Sequence, residues 1–156
     1  MKLDTQQIER LGLAILKSSL ISANFEVATP ERDNGIDLIM YRWGRSLGFR
    51  SAPIQMKSAS TQSFSIDRGY ECIPNLYMAY VWNTITVSAA VIYVMPYREA
   101  VSVGDVMGWT KTTSWIRDGE YSTTAPSKKL VQLLEKFRVS TGYYETLPLS
   151  DASNIK

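Results

Sequence analysis

Residues 34–60 read NGIDLIMYRWGRSLGFRSAPIQMKSAS. Side chains alternate faces along a strand, so Ile36, Leu38 and Met40 share one face while Asp37, Ile39 and Tyr41 share the other. In the second half Gln55 and Lys57 share a face, opposite Ile54 and Met56. A loop around Gly44–Gly48 would fold this stretch into an antiparallel hairpin, with strands near Ile36–Tyr41 and Pro53–Lys57. Asp37 then lies opposite Gln55 or Lys57. A buried polar group costs free energy unless it finds a partner. Three of them converging at one end of an otherwise apolar hairpin therefore ask for a chemical reason.

Outward from the hairpin, Asp4 or Thr5 can cap a first helix running to about Ser22. At roughly 100° per residue, Ile8, Leu11, Leu13, Ile15, Leu16 and Leu20 fill an apolar arc of roughly 200°. Glu9 projects between Leu16 and Leu20, inside that arc, although a glutamate so near a helix start also gains from the helix dipole. NFEVAT reads as a short strand and PERDNG as a turn. SIDRGYECIPN reads as loop with a short helix, while LYMAYVWN and VSAAVIYVMPY have the β-branched and aromatic content of inner strands. The region from Arg98 to Thr124 carries no clear period. APSKKLVQLLEKFRVS is an amphipathic helix, about 127–139, with Ser127 as its cap. The expected fold class is α/β, with α+β as the alternative: a central mixed sheet flanked by helices, in the order α-β-β-β-(α)-β-β-α. A single domain over 1–156 is expected, with a core at about 5–95 joined by the C-terminal helix and a loose tail at about 145–156.

Composition narrows the chemistry. Hydrophobic residues make up 45% and charged residues 21% of the 156, which suits a globular domain with a substantial core. A net charge of +2 gives little overall attraction to a polyanion, so any basic patch must be local. One cysteine, Cys72, excludes an intrachain disulfide framework, and the absence of histidine excludes Cys/His zinc sites and histidine-dependent triads. Acid–base and metal chemistry is left to Asp, Glu, Lys and Tyr. The amino terminus does not read as a signal peptide, and no run reaches the ~18 apolar residues of a membrane span, so no membrane association and a cytoplasmic location are expected.

An aspartate in GID, a polar ligand about 18 residues later and a lysine two further on, in IQMK, form a pattern that resembles the PD-(D/E)xK nuclease superfamily, in its variant with Gln at the third position. The helix glutamate and the helix–strand–strand–strand opening resemble it too, over about residues 5–95. The departure is Gln55, where the commoner pattern has Glu or Asp; the PE at Pro30–Glu31 is not the motif's PD. The resemblance implies a restriction-endonuclease-like fold and an Mg²⁺-dependent endonuclease, with Mn²⁺ as a substitute, acting on duplex or branched DNA, with a homodimer as one assembly.

Phosphodiester cleavage needs a hard cation to neutralise charge and activate water, and Mg²⁺ takes oxygen ligands. By the resemblance Asp37 supplies the central carboxylate, Gln55 an amide oxygen, and Glu9 a second carboxylate directly or through water. Lys57 would orient water or stabilise developing charge. Arg42, Arg45 and Arg50 on the hairpin, with Ser58 after Lys57, would hold phosphates, unless they are a solvated surface. Trp43 and Phe49 would stack on bases or pack at the hairpin tip. Two rival readings stand beside this one. The first is an inactive nuclease-fold domain that binds nucleic acid or a subunit. The second is an unrelated α+β interaction protein in which Asp37 simply pairs with Lys57.

Overall fold

The first helix is started by its aspartate. Asp4 Oδ1 accepts from Gln7 N at 2.8 Å while Gln7 Oε1 accepts from Asp4 N at 3.0 Å, a reciprocal cap that satisfies two donors. In the computed structural model, which describes residues 2–151, this helix, α1, runs Thr5–Ser22. It buries Gly12, Leu16 and Leu20 along one stripe. A Cβ on Gly12 would stand 2.5 Å from Ser58 Cβ, so only glycine lets α1 lie this close to the sheet.

The sheet that α1 covers is mixed. Its strands are β1 (Glu26–Ala28), β2 (Leu38–Gly44), β3 (Gly48–Ser58), β5 (Tyr77–Trp82) and β6 (Val91–Pro96), in that spatial order. Neighbours are antiparallel except β3 and β5, which run parallel. The connection between those two carries β4 (Phe64–Asp67) and a single 3₁₀ turn, Arg68–Tyr70. β4 leaves the main sheet to pair with β7 (Glu120–Thr123) in a separate two-stranded ribbon. After β6 come α2 (Tyr97–Val106), α3 (Thr113–Asp118) and α4 (Lys128–Leu134).

β5 explains the two-sided burial. All six of its residues are buried, as a central strand's should be. Tyr77, Ala79 and Val81 pack toward α1 with Leu16, Leu20, Leu38, Met40, Ile54 and Met56. Met78, Tyr80 and Trp82 pack the other way with Phe64, Ile66, Val103, Leu130, Leu134 and Phe137. The molecule is therefore α1 on one face, the sheet in the middle, and α2, α4 and the β4–β7 ribbon on the other.

Several expectations are corrected. The bracketed helix between the third strand and the next is β4 plus one 3₁₀ turn, and three helices follow β6 where one is expected. Val87–Ala89 is a 3₁₀ turn rather than the start of β6. The C-terminal helix ends at Leu134 and continues as a 3₁₀ turn, Glu135–Phe137. The expected loose tail is structured as far as it is described: Pro148 O accepts from Tyr77 Oη at 2.8 Å, and Ser150–Asp151 (β8) pairs with Arg50 and Ser51 of β3. Residues 152–156 of that tail lie outside the described residues.

Candidate active site

The hairpin closes in the expected register, Gly44 opposite Gly48 and Leu38 opposite Ile54, which sets Asp37 against Gln55. The strands are unequal, however. β2 begins at Leu38, while β3 continues to Ser58. Asp37 N donates to Ile54 O at 2.8 Å, and the next backbone edge of β3 on that side, at Met56, has no strand beside it. Two side chains take it up. Asp37 Oδ2 accepts from Met56 N at 2.6 Å, and Gln55 Nε2 donates to Met56 O at 3.3 Å. Asp37 and Gln55 thus meet on the backbone of one residue.

Each keeps an oxygen over. Gln55 is 7% exposed, and because its Nε2 is committed to a carbonyl, the atom left inside is Oε1. That oxygen is buried and has no hydrogen-bond partner. The large majority of buried side-chain polar atoms in folded proteins are paired, so such an atom asks for a partner, a water or a ligand. Asp37 adds a formal negative charge. Burial, the largest cause, pushes its carboxyl above the usual range, and the Asp33 and Glu9 charges push it the same way; the Met56 N–H and the Lys57 charge pull it down but do not win. A partly buried carboxylate facing like charges and an orphan amide oxygen, on side chains that meet at one residue's backbone, are donor types that suit a hard cation. Among the described residues no trio of carboxylate or thiol groups is assembled, so protein carboxylates alone would not fill the coordination shell.

The loop before β2 is shaped for this. Asp33 Oδ1 accepts from Gly35 N at 3.1 Å, turning the chain. Gly35 sits at φ +80°, and a Cβ there would stand 3.2 Å from Ile73 Cδ1 and 3.4 Å from Tyr70 Cε1. The glycine of GID is favoured by the turn's positive φ, with the Ile73 side chain and the Tyr70 ring closing in above it. Tyr70 also reaches the lysine. Lys57 Nζ donates to Tyr70 Oη at 2.8 Å, and no ion pair joins it to Asp37. Lys57 opens onto a cleft of about 230 Å³ lined by Ser65, Asp67, Ser114, Glu120 and Ser122. Glu9 is exposed rather than buried, since α1 buries residues only from Gly12 onward, yet its charge still reaches Asp37.

The residues expected to hold phosphates are not beside this site. Seven residues of strand separate Asp37 from Gly44, about 23 Å at ~3.3 Å per residue, so the hairpin tip carrying Arg45 lies at the far end. Arg42 is occupied: it pairs with Glu145 at 2.8 Å, donates to Ala23 O and lies 3.8 Å over the Phe25 ring. Arg50 Nε reaches Leu47 O at 3.5 Å, within the hairpin. Ser58 packs under α1 at Gly12. Sequence parity could have shown this for Arg42 and Arg50, which share the α1-facing side with Leu38, Met40, Ala52 and Ile54. Arg42→Ala is accordingly expected to cost stability, about 1–3 kcal/mol for the carbonyl and ring left behind, which urea melts check.

Tyr70 and Asp33 are the residues that sequence reasoning missed. Their segments read as loop with a short helix and as a turn, and no spacing rule links Tyr70 to Lys57.

No protein-family model matches the chain, and no curated protein or solved structure matches it either. Among the described residues no helix is long and apolar enough to cross a membrane.

Proposed function

We propose that this chain is a divalent-cation-dependent endonuclease of restriction-endonuclease-like fold, hydrolysing phosphodiester bonds in DNA. The observation that carries the reading is the buried, unpartnered Gln55 Oε1 on a side chain that meets the Asp37 carboxylate at the backbone of Met56. Asp37 and Gln55 are the residues that would hold Mg²⁺, with Glu9, whose charge already acts on Asp37, as a ligand through water. Bound there, the cation would supply Lewis-acid stabilisation of phosphate charge and a more acidic water. The chain's own contribution is placement. Gln55 sits on β3 itself, and Asp37, one residue before β2, is tied to the same strand by its own N–H to Ile54 O and by its carboxylate on Met56 N. The Lys57 ammonium, two residues on and on the same sheet face as Gln55, offers a fixed positive charge to a phosphate oxygen or to the attacking water.

The test is cleavage of supercoiled plasmid, single-stranded DNA and a branched duplex, with Mg²⁺ or Mn²⁺ and with chelator. Cation-dependent nicking is expected. A protein that binds these DNAs in Ca²⁺ and cuts none of them in Mg²⁺ or Mn²⁺ would be the binding module instead. Gln55→Glu should bind Mg²⁺ about 10-fold more tightly, because it adds a carboxylate to a site poor in charge. Calorimetry reads that change, and a weaker Mg²⁺ affinity in this variant would count against Gln55 as a ligand.

A further inference from the structure

We propose that Tyr70 is a positioning residue for the amine of Lys57 in the cleavage reaction, an inference that rests on the nuclease reading. The lysine ammonium has donors only, so in the 2.8 Å contact Nζ donates and Tyr70 Oη accepts. Nζ lies 5.1 Å from the ring centroid, which places it at the hydroxyl rather than over the face.

The ring itself is held from several sides. It packs against the place where a Gly35 side chain would be, 3.4 Å from that Cβ position, and is partly buried against the core that holds Ile66, Met78 and Tyr80. The 3₁₀ turn carrying it is started by Asp67, whose Oδ1 accepts from Gly69 N at 2.7 Å, and Tyr70 O accepts from Ile73 N at 3.1 Å. One side chain therefore touches both arms of the site: the Gly35 turn that presents Asp37, and the end of β3 that presents Lys57.

Lysine is a compact charge on a flexible four-carbon stem. Carboxylates of Asp67 and Glu120 line the same cleft and compete for that charge. Without the phenol hydroxyl, Nζ is free to swing toward them and away from Asp37. A displacement of that order near reacting atoms costs up to about 100-fold in rate.

The experiment is a double-mutant cycle in full-length protein with Mg²⁺ and a labelled DNA duplex or nicked plasmid as probe. Tyr70→Phe keeps the ring on Gly35 and removes only the hydroxyl. It should lower kcat by roughly 10- to 100-fold, with KM, DNA affinity in Ca²⁺ and melting temperature unchanged. In a Lys57→Ala background the same change should cost less than about threefold, because the amine it positions is gone. Equal losses in both backgrounds would overturn the proposal, as would a Tyr70→Phe loss confined to KM or explained by a lower melting temperature. If the wild-type protein cleaves in an Asp37-dependent way and the cycle is additive, the nuclease reading survives and Tyr70 alone fails. If the wild-type protein does not cleave, both fail.

Discussion

Asp37→Asn is expected to lower DNA cleavage by about 10³-fold while the protein melts no lower than wild type at pH 7. On the proposed nuclease reading, the loss follows from removing the one carboxylate that Asp37 would bring to the cation, worth several kcal/mol of charge stabilisation, or about a thousandfold in rate. Asparagine is a sharper probe than alanine. Its amide oxygen can still accept from Met56 N, the contact Asp37 makes at 2.6 Å, whereas alanine would strip the cap from the edge of β3. The stability half follows from the raised pKa of Asp37. A carboxyl whose folded pKa lies above its unfolded value contributes stability that is fully present below the unfolded value, near 3.8, and is lost as pH rises through the folded one. At neutral pH the ionised Asp37 therefore weighs against folding, and the neutral amide removes that cost. The stability of Asp37→Asn relative to wild type should climb from about pH 4 upward and then level off. Rates on plasmid together with thermal melts across pH check both. Full activity, or a melting temperature several degrees lower at pH 7, would make Asp37 a structural cap and nothing more.

The second large effect is on stability. Trp82→Ala should destabilise the fold by about 3–5 kcal/mol, a large part of the ~5–15 kcal/mol that holds such a domain together. Trp82 is 1% exposed, packs edge-on against Tyr93 with centroids 4.8 Å apart, and donates Nε1–H to Ser63 O at 2.6 Å. Alanine leaves both a cavity and an unpaired carbonyl. β5 is also the strand that braces the site, with Met78 beside Gln55 and Tyr80 beside Lys57 in parallel register. Activity should therefore fall with the folded fraction in urea rather than ahead of it. A loss under about 1 kcal/mol would contradict the packing of this face.

The sheet was legible where a short-range rule governed it. Alternation and two glycines were enough for the β2–β3 register, and the β-branched and aromatic content of LYMAYVWN was enough for β5. The ribbon was not, because β4 is four residues long and its partner lies far along the chain: Phe64 faces Thr123. Nothing local marks such a pairing. α2 and α3 were missed for a related reason: both are short, and α3 buries no residue, so it carries no apolar stripe to read. At the site, the opposition of Asp37 and Gln55 was readable from parity alone. Glu9 was misplaced because a helical wheel treats every turn as lying over the sheet, and the first turns of α1 overhang it. The arginines were misplaced because proximity in sequence was read as proximity in space along a strand about 23 Å long.

The cation site itself is tested most directly by titrating Mg²⁺ into the protein by calorimetry, without DNA, for wild type, Asp37→Asn and Gln55→Leu. The expected result is one site per chain in wild type, absent in Asp37→Asn and weakened at least about 10-fold in Gln55→Leu. No binding in wild type, or the same affinity in all three proteins, would contradict it.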